Sequence, residues 1–239
     1  MRRTLAVVNV PTSSIARKAD VVMPILAGPE IGVASTKAFT AQLLSLLLLA
    51  VRAGLDRGKM NADDFNALMS KIRTMPGLMS QALDRAQDYT RVAEKLAESD
   101  DVLFLGRGAM YPMALEAALK LKEISYIHAE AYAAGELKHG PIALIDKTLP
   151  VVILAPRDLL FEKTISNMQE VMARHGQVTL LTDAEGAKLA GDVQNVIVMP
   201  KAPAIVAPLV YAIPAQCLLT TERLPVGRTW ISPEIWRRR

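Results

Sequence analysis

Short apolar runs rich in β-branched residues alternate along the chain with longer amphipathic stretches. The runs at 5–10 and 21–26 are each closed by Pro or Gly, which is typical of buried strands that end in turns. Further strands are predicted at 100–106, 148–154, 177–182 and 193–199. Helices near 159–175 and 183–189 separate the last three. This alternation predicts an α/β protein whose parallel sheet is covered on both faces, with ligands beyond the carboxyl ends of its strands.

The most apolar stretch, 43–51, lies in a helix predicted to begin near Thr36 and to run for about 18 residues. Lys37 and Arg52 interrupt or bound this stretch, so a buried core helix is favoured over a membrane span. Ser35 or Thr36 suits the N-cap of the helix. Alternatively, this helix N-terminus faces a ligand oxygen or a phosphate.

Between the two groups of strands, residues 61–99 have the composition of two polar amphipathic helices, separated at 75–77. This suits a connector between two α/β units. The strand at 100–106 then runs into a glycine turn at 106–108 and a helix from Tyr111. Strand, glycines and helix resemble a dinucleotide fingerprint, but the third glycine and the acidic residue are missing, so the signal is weak.

Composition narrows the class of protein. The 239 residues suit one large domain or two small ones, and 51% hydrophobic content is ample for a core. The net charge is only +4, and several basic residues lie in the extreme tails, so no nucleic-acid partner is predicted. The single cysteine, Cys217, excludes an internal disulfide and fits a reducing compartment. The N-terminal run is too short for a signal peptide, and a soluble cytoplasmic protein is predicted.

The densest cluster of ionisable residues lies at 115–141, within otherwise apolar sequence. On a helix, Glu116, Lys120 and Glu123 fall within about 60° of one another and form one stripe. Such a stripe is often only the solvated face of a helix. This one, however, runs into a turn at Lys138-His139-Gly140-Pro141, which places a titratable imidazole where the backbone reverses. Groups able to take and give protons near a chain reversal indicate a candidate site.

Several segments resemble the isomerase half of the glutamine–fructose-6-phosphate aminotransferase (glucosamine-6-phosphate synthase) family: 30–43, 104–108, 118–146 and 199–216. The resemblance spans nearly the whole chain to Leu218. It implies two SIS (sugar isomerase) domains in tandem, each a doubly wound, three-layer αβα sandwich, the first truncated at its N-terminus. It also implies aldose–ketose chemistry on fructose 6-phosphate, without a cofactor, using ammonia from a glutaminase domain.

The resemblance also assigns residues. Glu123 would be the base that moves a proton between C1 and C2, a transfer that needs one carboxylate within reach of both carbons. His139 would assist ring opening in the active site of the neighbouring subunit of a homodimer. Lys120 and Glu116 match polar residues near the substrate. The segment that touches the sugar is matched by Val33, Ala34 and Ser35.

Each assignment has a structural alternative. Glu116 and Lys120 are spaced i,i+4 and could form a surface pair worth about 0.2–0.5 kcal/mol. His139 could cap a helix end, while His128 and Glu130 could be structural. Three histidines without metal-ligand spacing argue against a metal site.

Three features expected of the family are not found in this sequence. The glutaminase domain and the Ser/Thr-rich phosphate loop have no counterpart, and no Lys follows Lys201 to form a Schiff base with the sugar. Codons compatible with 219–239, shifted by one nucleotide, encode AYHRAVARGPDVDQPRNLAKT, which contains the family tail. A frameshift near Leu218 or Leu219 is therefore our hypothesis, and the chain alone is expected to make no glucosamine 6-phosphate.

The sequence predicts a sugar-phosphate-binding fragment of the isomerase region, catalytically incomplete on its own. A non-catalytic SIS regulatory module and an SIS-type amino-sugar-phosphate deaminase are the alternatives. The predicted boundaries are 1–58 for the end of a first SIS domain, 59–95 for a helical connector, 96–218 for a second SIS domain and 219–239 for an aberrant tail.

Overall fold

The structure is a computed structural model that describes residues 3–31 and 34–218. The chain forms two compact units, which divide between Ile72 and Arg73. The strands of the described residues are β1 (Leu5–Val8), β2 (Val21–Pro24), β3 (Asp101–Gly106), β4 (His128–Ala133), β5 (Pro150–Leu154), β6 (Gln177–Asp183) and β7 (Asn195–Met199). The helices are α1 (Ser14–Lys18), α2 (Lys37–Asp56), α3 (Ala62–Arg73), α4 (Met75–Leu83), α5 (Ala86–Leu96), α6 (Met110–Ser125), α7 (Phe161–Met172), α8 (Ala184–Leu189) and α9 (Ala207–Cys217).

The first unit contains the parallel pair β1 and β2, with Leu5 opposite Val21 and Val8 opposite Pro24. The short helix α1 joins the two strands, and the Ser13 hydroxyl caps it by accepting the backbone N–H of Ala16 at 3.3 Å. Both strands agree with the prediction, although each ends two residues earlier than the apolar run. The predicted tail at 219–239 lies outside the described residues.

Helix α2 begins where the sequence predicts, but its N-terminus is held by a carboxylate. Glu30 accepts the backbone N–H groups of Thr36 and Ala38 at 3.3 and 2.9 Å. The Thr36 hydroxyl makes no capping bond and donates instead to Glu30 at 3.0 Å. The predicted hydroxyl cap is therefore wrong, because a negative charge satisfies the same N–H groups and the helix dipole together.

The prediction that α2 is a buried core helix is also wrong within the described unit. Only 17% of its most apolar window is buried, and Leu46 and Leu49 are exposed. Two strands of four residues each are too small to cover a 20-residue helix. By length and composition α2 is the one helix of the described residues that could cross a membrane.

The segment between the two groups of strands holds three helices, not the predicted two. The predicted break at 75–77 is instead the first turn of α4. Pro76 is tolerated there because backbone N–H groups in the first turn of a helix have no partner within the helix. Along the chain, α3 precedes α4 and α5 follows it.

The second unit is built on a five-stranded sheet of order β4-β3-β5-β6-β7, in which every pairing is parallel. The chain passes from β3 to β4 on one side and then crosses to β5 on the other side. The sheet therefore reverses its order between β3 and β5, as in other doubly wound folds. The predicted α/β class and parallel sheet are confirmed, whereas the tandem arrangement stays a prediction.

Both faces of this sheet are covered. Leu103 and Leu105 of β3 pack with Phe161 and Met168 of α7 in one core cluster. Phe104 of β3, which points the other way, is 1% exposed. The helices α6 and α9 pack together on that second face. Strands buried on both faces explain why the sequence shows continuous apolar runs there.

Strand β4 was not predicted, because its sequence HAEAYA alternates polar and small residues. The alternation suits an edge strand, which has a neighbouring strand on one side only. His128 lies with its Nδ1 2.6 Å from Asp101 Oδ1 and with its side chain 64% exposed, so it links the starts of β4 and β3. This exposed pair also excludes a core position for His128.

Candidate functional site

The predicted stripe on α6 forms as the helical spacing requires. The Lys120 ammonium lies 3.2 Å from Glu116 Oε1 and 3.3 Å from Glu123 Oε2. Lys120 is buried, with its side chain 5% exposed, and Glu116 is 13% exposed. The alternative of a surface pair is therefore wrong for Glu116 and Lys120, because a buried ammonium needs both carboxylates to offset its lost hydration.

Exposure increases along the stripe towards the end of α6. The Glu123 side chain is 37% exposed, so its carboxylate is held by Lys120 on one side and open to solutes on the other. The neighbouring faces of α6 carry Leu115 and Leu119, both 44% exposed. The helix thus turns part of its charged stripe inward and two leucines outward, the reverse of an ordinary surface helix.

His139 is the last residue of a 3-10 helix, Ala134–His139. The next residue, Gly140, has a φ of 147°, a conformation that glycine adopts without strain and other residues do not. The backbone turns at Gly140, as the sequence predicts. The imidazole Nδ1 lies 2.7 Å from Glu136 Oε2, and the side chain is 73% exposed. A carboxylate at that nitrogen orients the ring and leaves Nε2 for another contact.

The sugar-contact prediction falls on the loop before α2. Val33 lies outside the described residues. Ala34 is buried at 1% exposure, and Ser35 is half-buried just before the helix N-terminus. In the described residues no group of three His, Cys, Asp or Glu side chains is placed to hold a metal ion.

A second group of polar residues, which the sequence did not single out, lies at the carboxyl ends of β5, β6 and β7. Arg157 and Asp158 follow β5, Asp183 ends β6, and Lys201 follows β7. They line a cavity of about 530 Å³ that also reaches Met110 at the start of α6. A second cavity of about 660 Å³ adjoins it and shares Asp183, Glu185 and Lys201. We call the two cavities together the carboxyl-end crevice.

The cavity of about 530 Å³ borders the point between β3 and β5 where the sheet order reverses, the position at which doubly wound folds bind ligands. Its walls include the loop after β3 and the loop after β5. These loops touch, since a Cβ on Gly108 would lie 2.7 Å from Leu160 Cδ1. Gly108 also has a φ of 56°, so glycine is required there for space and for conformation.

Asp183 holds the crevice together. Its carboxylate accepts the backbone N–H groups of Arg157 at 2.9 Å, Glu185 at 3.1 Å and Gly186 at 3.0 Å. It therefore caps α8 and ties the loop after β5 to the end of β6. Glu185 pairs with Lys188 at 2.9 Å, and this hydrogen bond lowers the pKa of Glu185 most, with smaller contributions from Arg157 and Lys201.

These residues were missed because no motif links them; each comes from a different loop. The available signal was positional, since Arg157, Asp183 and Lys201 each lie within three residues of the end of a predicted strand. The stripe is remote from them. Glu123 lies 13 residues after Met110, or about 20 Å along α6.

Comparisons with known proteins agree with this fold. A family model described as SIS domain matches residues 2–52 and 95–221. The glutamine–fructose-6-phosphate aminotransferase [isomerizing] of Bradyrhizobium diazoefficiens is 59% identical over 216 residues, which are 90% of this chain and 36% of that protein. The chain thus spans just over a third of the length of this relative.

Solved structures extend the likeness. The C-terminal domain of glucosamine-fructose-6-phosphate aminotransferase from Francisella tularensis is 40% identical with a TM-score of 0.88, over 90% of this chain and 61% of that one. The glucosamine-6-phosphate deaminase of Thermotoga maritima is 25% identical with a TM-score of 0.62, over 90% of this chain and 60% of that one.

Proposed function

Because this chain belongs to the SIS domain family, we propose that it is part of the isomerase region of a glutamine–fructose-6-phosphate aminotransferase and binds a sugar phosphate. The proposal rests on the triad Glu116–Lys120–Glu123, in which the buried ammonium of Lys120 orients the partly exposed carboxylate of Glu123. High identity to a named aminotransferase supports this lineage over the deaminase alternative, which is matched at lower identity.

In the proposed chemistry, Glu123 is the base for isomerisation. Its carboxylate takes a proton from C1 of the open-chain ketose while the C2 carbonyl oxygen takes a proton from water, which gives a C1–C2 enediol. The same carboxylate returns its proton to C2 as the O1 hydroxyl loses its proton to water, so that the C1 carbonyl of the aldose forms. Lys120 keeps the carboxylate oriented by a charge-assisted hydrogen bond. Glu116 offsets the remaining charge of the buried ammonium.

A homodimer belongs to the same proposal, with the partner's His139 assisting ring opening. In this chain the imidazole is exposed and oriented by Glu136, which would leave it available to a neighbouring copy. Val33, Ala34 and Ser35 are proposed to touch the sugar. The boundaries predicted from sequence, with a first SIS domain to 58, a helical connector at 59–95 and a second SIS domain at 96–218, are proposed for the domains of the family. A cytoplasmic location fits the single cysteine and the class of substrate.

The proton transfer can be tested without ammonia or glutamine. Fructose 6-phosphate is incubated with the chain in D₂O, and deuterium entering C1 is followed by NMR. Exchange above the buffer rate is expected for the parent chain. It should fall about 100-fold or more in Glu123→Gln, because a positioned base contributes at least that factor. Glu94→Gln, an exposed carboxylate on α5, is the matched control and should leave exchange unchanged.

Calorimetry with glucosamine 6-phosphate completes the test. Binding without exchange would support the non-catalytic SIS module and contradict Glu123 as a base. If neither binding nor exchange occurs in the folded chain, the proposed sugar-phosphate site is wrong.

A further inference from the structure

The 3-10 helix Ala134–His139, which ends at the imidazole of the proposed function, has three distinct faces. A 3-10 helix has three residues in each turn, so residues three apart share a face. Ala134 and Leu137 share the first face, and both are fully buried in the core cluster that also contains residues of α7. This face anchors the helix to the second unit by apolar packing.

The second face, at 135 and 138, is held by polar side chains from other elements. A Cβ on Gly135 would lie 3.0 Å from Nη1 of Arg107, so the guanidinium packs directly against the backbone there. The same nitrogen donates to Oδ1 of Asn167 on α7 at 3.1 Å. Because Arg107 follows β3, it joins the loop after β3 to both the 3-10 helix and α7.

Lys138 completes this second face through Glu170 of α7. Its ammonium lies 2.9 Å from Glu170 Oε1, and the Glu170 side chain is only 23% exposed. The other carboxylate oxygen, Oε2, is buried and has no hydrogen-bond partner among the described residues. A carboxylate withdrawn from water is costly without a counter-charge, so the fold favours the closed pair.

The third face carries Glu136 and His139. Both side chains are exposed, and Oε2 of Glu136 lies 2.7 Å from Nδ1 of His139. Within residues 3–31 and 34–218, these two side chains make an ion pair only with each other. Packing on the first face and the contacts of Arg107 and Glu170 on the second therefore fix the direction in which this pair points.

We propose that Arg107 and Glu170 are positioning residues for His139, which set the orientation in which its imidazole is presented to a neighbouring subunit. This inference rests on the proposed function, in which the partner's His139 assists ring opening. Neither residue needs to touch the sugar, because each acts through the 3-10 helix. A misplacement of about 1 Å in a reacting group can cost about 100-fold in rate, so two contacts that fix one helix can control the step.

The test separates ring opening from proton transfer by using two substrates. Fructose 6-phosphate must open its ring before C1 can lose a proton. In 5-deoxyfructose 6-phosphate the hydroxyl that closes the ring is missing, so this ketose is already open. Deuterium entering C1 from D₂O is followed by NMR for the full chain and for its variants.

Arg107→Met and Glu170→Met each remove one contact and keep an unbranched side chain, and His139→Gln is the reference. Both should slow exchange with fructose 6-phosphate about tenfold or more, as is expected for His139→Gln. Exchange with 5-deoxyfructose 6-phosphate should stay within about twofold of the parent, because its ring opening is not needed. Equal losses on both substrates would reveal a general effect on the site and overturn the inference, as would parent rates on both.

Glu162→Met and Arg174→Met are the controls, since these exposed residues lie at the start of α7 and just after its end. They should leave both rates unchanged. Unfolding midpoints in urea establish that each variant is folded.

Amide hydrogen exchange without substrate tests the same inference independently of the reaction. Exchange at 137–139 should be faster in Arg107→Met and Glu170→Met than in the parent and the controls, and equal exchange would overturn the inference. If the parent incorporates deuterium into neither substrate, the proposed function is wrong. Amide exchange then decides by itself whether the two residues hold the 3-10 helix.

Discussion

The two ends of α6 differ in how their charged groups are partnered. At its C-terminal half, Glu116, Lys120 and Glu123 compensate one another within a single helix. Near its N-terminus, Arg157 and Lys201 come from separate loops and make no direct ion pair in the described part of the chain, although Asp158 and Asp183 line the same cavity. The stripe is therefore compensated within one helix, whereas the charges at the crevice are balanced only across loops that meet there.

This contrast also separates what each region is suited to do. A carboxylate fixed by a buried ammonium can be positioned for proton transfer, because its orientation does not depend on the substrate. Arg157 and Lys201 are instead exposed side chains on separate loops, so nothing fixes their charges as Lys120 fixes Glu123. The predictions below begin with these two regions and follow in decreasing order of expected effect.

The turn that starts α6 supports both regions, so its disruption should affect both. A Cβ on Gly106 would overlap the backbone carbonyl of Met110, which cannot move without displacing the helix. We expect Gly106→Ala to lower the free energy of unfolding by about 3 kcal/mol or more, measured by urea denaturation. Gly77→Ala is the control, since nothing lies within 4 Å of a Cβ there. It should be neutral or slightly stabilising, because alanine suits a helix better than glycine. Equal losses in both variants would show that the turn does not require glycine.

Removing the lysine at the centre of the stripe should lower the free energy of unfolding. Lys120→Ala leaves the nearly buried Glu116 carboxylate without its ammonium. We expect a loss of about 2–3 kcal/mol in the free energy of unfolding, less than for a fully buried pair because Glu123 is part-exposed. Lys122→Ala, an exposed position on the same helix, should change it by about 0.5 kcal/mol or less.

A double variant decides whether the stripe acts through charge. Combining Lys120→Met with Glu116→Gln removes both members of the pair and should recover part of the loss, since no buried charge is then left alone. Additive losses in the double variant would instead assign the effect to side-chain packing.

Two buried tyrosines should respond in opposite ways. Tyr89 donates its hydroxyl to the backbone carbonyl of Ala82 at 2.8 Å, so Tyr89→Phe should cost about 1 kcal/mol in the free energy of unfolding. Tyr211 has no such partner in the described structure, so Tyr211→Phe should be neutral or stabilising. A loss in Tyr211→Phe equal to that in Tyr89→Phe would reveal a bond that the fold requires.

The smallest expected effect is a loss of stability at acid pH, which arises from the Glu185–Lys188 pair. The Lys188 hydrogen bond holds the pKa of Glu185 below its ordinary value, so this pair stabilises the fold above that value. The contribution should disappear as pH falls through the lowered pKa. Lys188→Met should therefore be less stable than the parent at neutral pH, with the difference vanishing under strongly acidic conditions. NMR titration of Glu185 should show its pKa rising in the variant, and an unchanged pKa would contradict this account.

The sequence anticipated the elements whose signal is local. Apolar runs located six of the seven strands of the described residues, and the spacing of Glu116, Lys120 and Glu123 correctly placed their side chains together. It missed β4, whose polar alternation reflects an edge position that depends on its neighbour in the sheet. It also overestimated the burial of α2, because the length of an apolar run does not reveal whether anything covers it.

By itself the sequence determined the α/β class, the charged stripe on α6 and the turn after His139, because each depends on residues close together in the chain. Only the tertiary structure decided that Lys120 is buried while Leu115 and Leu119 are exposed. It also decided that Arg157, Asp183 and Lys201 share one crevice. The physical reason is that burial and loop convergence arise from packing between distant segments, and no local pattern encodes which segments meet.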